Sequence, residues 1–247
     1  MEKTVICVVH LKPLPGAPLH ENLDEVLENA IRDAKAIEEG GADAVIVENY
    51  GDRPFLKSPT KETVACMSVI AWEIRRTTNL ALGINVLRND AISALAIAKA
   101  VKADFIRVNQ LFFPSVAPEG FLIPEAGEVM RYRKSINCNA MIFADLNVKH
   151  AVHFASLEDY FLNAERSLAD AFIITGRATG LEVNLKDLRL AKEYLRAPIL
   201  AGSGVNEENA EKIAEFCDGV IVGSYIKRHG KIDPERVRRI VNAVKST

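Results

Sequence analysis

Two carboxylates and one histidine are the residues of this sequence best suited to acid–base catalysis. Glu48, Asp145 and His10 each lie at or just beyond the end of a short apolar run. A carboxylate at an apolar edge tends to have its pKa raised toward the range in which it transfers protons near neutral pH. A histidine in such a place can shuttle those protons or can have a structural role. The alternative for either carboxylate is a buried ion pair with Arg107, Lys149 or Lys12.

A second group of residues has the pattern of an anion site. The last two apolar runs are followed by Gly202-Ser203-Gly204 and by Gly223-Ser224. Glycines let backbone N–H groups approach an anion closely, and a short helix beginning near Ser224 would direct its positive end to the same place. The pattern predicts a site for phosphate or a similar anion. The alternative is that the glycines only turn the chain tightly.

Six other residues that follow apolar runs are expected to bind a substrate. Three of them are asparagines, whose amides can orient a substrate but do not transfer its protons. The six are Asn49, Asn85, Asn109, Lys149, Thr175 and Gly176, and Thr179-Gly180 continue the last of these segments.

The sequence does not require a metal or a cofactor. His10, Glu48 and Asp145 could form a metal site with one open position, but nothing in their spacing demands it. The four cysteines are far apart, without a CxxC pair, and are expected to be reduced thiols of a cytoplasmic protein. They are Cys7, Cys66, Cys138 and Cys217.

Eight short apolar runs alternate with amphipathic segments along the whole chain. Continuous apolar runs are typical of parallel strands covered on both faces, and eight such β/α units predict a single (β/α)8 barrel over residues 1–247. An open doubly wound sheet is the alternative, but no GxGxxG follows the first run. The runs are Val5–Val9, Ala44–Val47, Leu80–Val86, Phe105–Val108, Ala140–Phe143, Ala171–Ile174, Pro198–Ala201 and Gly219–Val222.

Polar residues at the ends of the amphipathic segments predict where the helices begin. Asn22 is expected to cap the first helix, with Glu25 completing a capping box. Other helix starts are predicted at Thr60, Asp90, Asn206 and Asp233-Pro234. Four aspartates that precede apolar runs are expected to cap turns at the opposite, structural end of the barrel; these are Asp43, Asp104, Asp170 and Asp218.

The connection after the fourth run is unusually long and carries three phenylalanines. Loops of this length are uncommon unless they are functional, so residues 109–127 are predicted to form a lid or to bind a partner. The alternative is that Phe112, Phe113 and Phe121 pack over the barrel rim. A short helix is predicted from Glu125 to Ser135.

Composition excludes several classes of protein. The chain has 247 residues, of which 49% are hydrophobic and 26% charged, with a formal net charge of −2. This balance is unlike that of a disordered chain or of a dedicated nucleic-acid binder, which carries a basic excess. No apolar run approaches the roughly 20 residues that span a bilayer, and no signal peptide is expected.

The motifs together resemble those of the BtpA family over nearly the full length. The matching segments are His10–Gly16, Glu48–Asp52, Gly83–Asp90, Ala144–His150, Thr175–Gly180, Gly204 and Gly223-Ser224. The resemblance implies a possible role in the biogenesis or stability of photosystem I, and some relatives are associated with sugar metabolism and labelled as nucleosidases. The family supplies no agreed catalytic residues, and residues 110–126 follow its pattern poorly. A more distant analogy is to the tryptophan synthase alpha chain, which has a glutamate after strand two and a phosphate site after strands seven and eight.

Two hypotheses of function follow. In the first, the chain is an enzyme acting on a small phosphorylated metabolite, such as a sugar phosphate or a phosphoribosyl or nucleoside-like compound, as a lyase, an isomerase or a nucleosidase-like hydrolase. In the second, it is a non-catalytic assembly factor that uses the phenylalanines of residues 109–127 as a contact patch. A homo-oligomer is expected, without nucleic acid and without membrane insertion.

Overall fold

The computed structural model describes residues 3–176 and 182–247 of the chain. Within them, eight parallel strands close into a barrel in which each strand pairs with the next and the last pairs with the first. The predicted (β/α)8 barrel is confirmed. The strands are β1 (Thr4–His10), β2 (Ala44–Glu48), β3 (Ala81–Asn85), β4 (Phe105–Val108), β5 (Met141–Leu146), β6 (Ala171–Ile174), β7 (Ile199–Ala201) and β8 (Gly219–Val222).

Helices connect successive strands on the outside of the barrel. In α1 the buried residues Val26, Ala30, Ala34 and Ile37 form the apolar stripe predicted from their spacing. The helices of the described residues are α1 (Leu23–Glu39), α2 (Lys61–Thr77), α3 (Ala91–Val101), α4 (Ala126–Ser135), α5 (Leu157–Asn163), α6 (Leu185–Tyr194), α7 (Ala210–Ala214) and α8 (Pro234–Lys245), with a 3-10 turn at Ala164–Ser167.

Most predicted helix starts are correct, and two details are wrong. Asn22 accepts hydrogen bonds from the backbone of the first turn of α1, but Glu25 does not complete a capping box because its carboxylate contacts Lys12. Asn206 begins a hydrogen-bonded turn, and α7 itself begins later, at Ala210. Asp90 and Asp233 cap α3 and α8, whereas Thr60 precedes α2 without a side-chain cap.

Side chains fill the axis of the barrel. Along β1 the residues alternate: Ile6 and Val8 face the axis, while Val5, Cys7 and Val9 pack toward the helices. Because the axis is packed, polar residues at the strand ends form the floor of an open mouth rather than the wall of a channel. The axial cluster consists of Ile6, Val8, Ala44, Ile46, Phe105, Phe143, Ala171, Ile173, Leu200 and Ile221.

The four predicted structural aspartates repeat one arrangement at the N-terminal end of the barrel. Each precedes an even-numbered strand, and its carboxylate accepts a hydrogen bond from a backbone N–H of the preceding odd-numbered strand. The repeat links the strands in pairs, so the four residues have a structural role at this end, as predicted, although these bonds join strands rather than cap turns. The pairs are Asp43 with Val5 (2.8 Å), Asp104 with Leu82 (2.7 Å), Asp170 with Ile142 (2.7 Å) and Asp218 with Ile199 (2.8 Å).

The long connection after β4 forms two strands that, with a third strand after β5, make a small antiparallel sheet at the barrel mouth. Its strands are Ser115–Ala117, Gly120–Leu122 and Val152–His153, and we call it the rim sheet. Phe112 and Phe113 pack against Tyr160, with ring centroids 5.3 and 5.0 Å away, so these two form no exposed patch. Phe121 is 58% exposed and stacks on Phe154.

Candidate active site

A cavity of about 610 Å³ opens at the C-terminal end of the barrel. It brings together the predicted proton-transfer residues of β1 and β2 and the predicted anion residues after β7 and β8. The tip of the rim sheet, Pro118 and Glu119, closes part of one side. Its polar lining includes His10, Glu48, Arg53, Arg88, Arg107, Asn109, Lys149, His150, Gly202, Ser203, Gly204, Gly223 and Ser224.

Glu48 and His10 are direct neighbours at the cavity floor. They occupy paired positions on β2 and β1, and Glu48 Oε1 lies 4.0 Å from His10 Nε2. Glu48 is buried, which raises the pKa of its carboxyl, while Arg107 at 4.0 Å acts in the opposite direction. A carboxyl with a raised pKa can both accept and return a proton near neutral pH.

His10 is held in its neutral form. Burial of the ring lowers the pKa of His10 to about 3, and the positive charges of Lys227, Lys149 and Arg107 add to this effect. Lys227 Nζ lies 2.9 Å from His10 Nδ1. Lys227 belongs to a short hairpin after β8 (Lys227–Arg228 with Lys231–Ile232), outside the β/α pattern, and no spacing in the sequence signals its position.

Asp145 does not line the cavity, which corrects its predicted role in acid–base chemistry. Its two carboxylate oxygens accept hydrogen bonds from Arg107 Nε and Nη2, at 3.0 and 2.9 Å. Asn109 Nδ2 donates a third, at 2.9 Å. Three of the roughly four lone-pair sites of the carboxylate are therefore occupied. The structure therefore favours the buried ion pair, in which Asp145 positions Arg107.

The predicted substrate-binding asparagines divide into two groups. Asn109 lines the cavity. Asn49 is buried outside it and makes structural bonds, accepting from Leu87 N at 2.7 Å and donating to Asp52 at 3.1 Å. Asn85 is also buried and donates to the Arg107 carbonyl at 2.9 Å and to Asn109 at 3.1 Å. These two support the cavity wall rather than contact its contents.

Lys149, a predicted substrate-binding residue, follows β5 and lines the cavity. Burial lowers the pKa of its ammonium, and the neighbouring Arg107 adds to the effect. Two charged residues beside it were not predicted: Arg88 donates to the Lys149 carbonyl at 3.0 Å, and its Nε lies 3.4 Å from Glu119 on the rim sheet. Arg88 follows the third apolar run by only a few residues, and that position is the sequence signal that could have predicted it as a site residue.

Thr175 and Gly176 directly follow β6 but are not among the residues lining the cavity within the described part of the chain. Thr175 Oγ1 lies 3.4 Å from the Asn147 carbonyl, which it can donate to. Thr179 and Gly180, which continue this motif, lie outside the described residues.

The two glycine turns, Gly202-Ser203-Gly204 and Gly223-Ser224, both line the cavity. Gly204 has a φ of +66°, a conformation that glycine adopts without strain. Gly223 lies against the imidazole, where a Cβ would come within 2.9 Å of His10 Cε1. Among the hydrogen bonds between described residues, none is donated by the backbone N–H groups of Gly204, Gly223 or Ser224, which makes these groups candidates for binding an anion.

The predicted helix near Ser224 is wrong. The chain after Ser224 makes a turn, with Lys227 N donating to the Ser224 carbonyl at 3.2 Å, and then enters the hairpin that carries Lys227. A helix is not formed because Ile226 is tied across the hairpin to Asp233, whose N–H donates to the Ile226 carbonyl at 2.9 Å. Any anion at this turn is therefore bound by backbone N–H groups and side chains, without a helix dipole.

The part of the chain that the structure describes contains no group of three His, Cys, Asp or Glu side chains close enough to hold a metal ion. None of the described helices has the length and apolar character needed to cross a membrane.

Proteins of one family match this chain over nearly its whole length. The family model described as BtpA family matches residues 1–246. A protein of Archaeoglobus fulgidus is 69% identical over 245 residues, covering 99% of this chain and 100% of that protein. The chain belongs to the BtpA family. The family resemblance predicted from the motifs is thus confirmed. The photosystem I biogenesis protein BtpA of Synechocystis is 42% identical over 250 residues, covering 97% of this chain and 87% of that relative.

Solved structures share the fold at low sequence identity. (S)-3-O-geranylgeranylglyceryl phosphate synthase from Thermoplasma acidophilum, in complex with sn-glycerol-1-phosphate, has a TM-score of 0.66 at 15% identity and covers 100% of this chain and 94% of its own. Tryptophan synthase from Mycobacterium tuberculosis has a TM-score of 0.68 at 14% identity and covers 99% and 93%. At these identities the likeness extends to the barrel alone.

Proposed function

We propose that this BtpA-family barrel is an enzyme that acts on a small phosphorylated metabolite by proton transfer. The observation that carries the proposal is that one cavity contains both the glycine turns and the neighbouring pair Glu48 and His10. The phosphate would accept hydrogen bonds from the backbone of Gly204, Gly223 and Ser224. The rest of the molecule would then extend across the floor to Glu48.

The charges of the cavity fit an anionic substrate. Arg53, Arg88, Arg107 and Lys149 line it, against the carboxylates of Glu48 and Glu119. Phosphate sites of barrels of this kind lie after strands seven and eight. A structural relative of this chain was solved with sn-glycerol-1-phosphate, which supports the choice of a phosphorylated ligand.

A thermal-shift screen tests the proposal, with inorganic phosphate, sulfate, sugar phosphates, nucleotides and nucleosides as ligands. A ligand at a hundredfold excess over its Kd stabilises the native state by about 2.7 kcal/mol, which is about 5–11 °C for a chain of this size. We expect Gly204→Asp to abolish the shift by charge repulsion. Gly204→Asn is the matched control because Asn tolerates the same positive φ without adding charge. A shift that survives in Gly204→Asp, or no shift with any phosphorylated compound, contradicts the proposal.

A second candidate function is favoured by one surface. Four apolar side chains on and beside the rim sheet are between 58% and 69% exposed, an unusual concentration for a surface. A relative of this chain carries the name photosystem I biogenesis protein. An assembly factor would use this patch, which consists of Phe121, Ile123, Val152 and Phe154.

The second candidate is tested by co-purification with a membrane-protein complex. We expect such a complex, if the patch binds it, to be retained by the native chain and lost in the double variant Phe121→Ser, Phe154→Ser. Val69→Ser is the control, because Val69 is 56% exposed on α2, away from the rim sheet. Equal recovery with all three chains contradicts a role of the patch.

A further inference from the structure

The contact with Lys227 determines which nitrogen of His10 carries the proton. Lys227 Nζ is 2.9 Å from His10 Nδ1. With Lys227 as an ammonium, whose nitrogen has donors only, Nδ1 accepts and the proton of the neutral imidazole lies on Nε2. Nε2 is the atom that lies 4.0 Å from Glu48 Oε1. An N–H donor and a carboxylate therefore lie beside the same part of the cavity.

Several contacts hold this arrangement in place. The His10 ring packs against Tyr50, with ring centroids 4.5 Å apart. Gly223 lies beside Cε1 and Nε2 of the same ring. The backbone of Lys227 is fixed by Arg236 Nη1, which donates to its carbonyl at 2.8 Å. Lys227 N in turn donates to the Ser224 carbonyl at 3.2 Å. The segment from Gly223 to Lys227 therefore contains both the backbone N–H groups proposed to bind phosphate and the lysine that orients His10.

A base beside a neutral N–H donor suits one class of reaction. When a carboxylate removes a proton from a carbon next to a carbonyl, negative charge develops on the carbonyl oxygen, and a fixed donor at that oxygen stabilises it. Arg107, whose Nη1 lies 4.0 Å from Glu48 Oε2, adds positive charge to the same region. Removal of a C–H proton from an alcohol or an acetal leaves the charge on carbon, because no carbonyl oxygen is there to receive it, so a donor placed at such an oxygen gives these compounds no advantage.

We propose that the substrate is a phosphorylated carbonyl compound, of the aldose or ketose phosphate class, and that Glu48 removes the proton from the carbon beside the carbonyl while His10 Nε2–H donates to the carbonyl oxygen. The C–H electron pair forms a C=C bond, and the C=O π pair moves to the oxygen. Glu48 then returns the proton to the same carbon, which re-forms the original C=O bond, or to the former carbonyl carbon. In the second case the former carbonyl oxygen takes the proton of His10 Nε2, and the imidazole takes up the hydroxyl proton of the first carbon, where the new C=O bond forms. Lys227 acts as a positioning residue. This inference rests on the proposed function and names its substrate class.

Deuterium exchange tests the reaction directly. The native chain is incubated in D₂O with dihydroxyacetone phosphate, glyceraldehyde 3-phosphate or ribulose 5-phosphate, and loss of the α-proton signal is followed by ¹H NMR. We expect exchange with at least one of them above the rate without protein. Glu48→Gln should lower that rate by about 10²- to 10⁴-fold. Glycerol 3-phosphate, which lacks a carbonyl, should bind but not exchange.

The tautomer of His10 is tested by ¹⁵N NMR of the ligand-free protein. We expect a protonated Nε2 and an accepting Nδ1 in the native chain and in Lys227→Arg, which keeps a cationic donor. Lys227→Met should give a mixture of tautomers and an exchange rate about tenfold lower, the effect of one hydrogen bond. Lys12→Met is the matched control, because Lys12 contacts Glu25 outside the cavity. A proton on Nδ1 in the native chain, or no change in Lys227→Met, overturns the inference.

The outcomes separate this inference from the proposed function. If phosphorylated compounds bind at the glycine turns and none of the carbonyl compounds exchanges, the substrate class is wrong while the phosphate site stands. If no phosphorylated compound binds, both are wrong.

Discussion

Replacing either of the two buried carboxylates of the barrel mouth by an amide should change the stability of the protein in opposite ways. Asp145→Asn and Glu48→Gln each replace a carboxylate by an amide of nearly the same shape. Asp145 is the partner of Arg107, and the two side chains are 0% and 5% exposed. Glu48 instead has a carboxyl whose pKa is raised by burial, and the nearest cationic atom paired with it, Arg107 Nη1, is 4.0 Å away.

The magnitudes follow from these contacts. Asp145→Asn replaces one accepting oxygen by an NH2 donor, so the buried Arg107 guanidinium loses one of its two hydrogen bonds to this side chain, together with the countercharge. Removing one partner of a buried pair costs about 3–5 kcal/mol. In a chain of this size that is roughly 6–20 °C in Tm. Glu48→Gln removes a charge that is costly to bury, so the free energy of unfolding should change by less than about 1 kcal/mol or should increase.

The pH dependence gives a second readout for Glu48. Because its pKa is raised in the folded state, ionisation of Glu48 costs stability as the pH rises from below its ordinary value of 4.5 toward neutrality. Glu48→Gln has no such cost. Its free energy of unfolding should therefore equal that of the native chain in acid and exceed it progressively as the pH rises.

Urea denaturation followed by circular dichroism, at pH 4 and pH 7, measures both effects. Circular dichroism of the folded variants checks that they keep the barrel. An Asp145→Asn variant as stable as the native chain would refute the structural role of the ion pair. A Glu48→Gln variant that loses as much stability as Asp145→Asn would refute the distinction between the two carboxylates.

Three further changes have defined outcomes. The pKa of His10 falls from 6.5 to about 3 on folding, so the chain should lose stability as the pH drops through that window, by up to about 1.4 kcal/mol per pH unit. His10→Gln should flatten the dependence of the unfolding free energy on pH, measured by urea denaturation. An unchanged dependence contradicts burial of a neutral ring. Gly223→Ala places a Cβ 2.9 Å from His10 Cε1, so it should weaken ligand-induced thermal shifts while changing stability by about 1–3 kcal/mol; a native ligand response contradicts the contact. Asp170→Ala leaves the Ile142 N–H without its acceptor and should cost about 1–3 kcal/mol in thermal denaturation, without affecting ligand shifts.

The fold could be predicted from the sequence because apolar runs and helical spacing mark the residues that are buried in strands and helices. Eight runs predicted eight strands, with boundaries shifted by a few residues; Pro198, for example, precedes β7 but its carbonyl still accepts a bond from Phe172 N at 2.9 Å. The helix predicted near Ser224 was wrong because the tie between Ile226 and Asp233 is a tertiary contact that no local spacing reveals.

The candidate site could be predicted only in part, because it too depends on tertiary contacts. The sequence placed Glu48, His10 and the glycine turns at one end of the barrel, since the strand ends share an edge. It could not assign the partner of Asp145, because the bidentate contact depends on how β4 and β5 align, with Arg107 opposite Phe143. Lys227 lies in a hairpin outside the repeating β/α units, and so no periodicity marked it.

A crystal structure with the phosphorylated compound that gives the largest thermal shift would locate both ends of the ligand in the cavity. We expect the phosphate within hydrogen-bond distance of the backbone N–H groups of Gly204, Gly223 and Ser224, with the carbon chain reaching Glu48 and His10. A phosphate bound elsewhere on the barrel, or a ligand whose reactive end points away from Glu48, would contradict it.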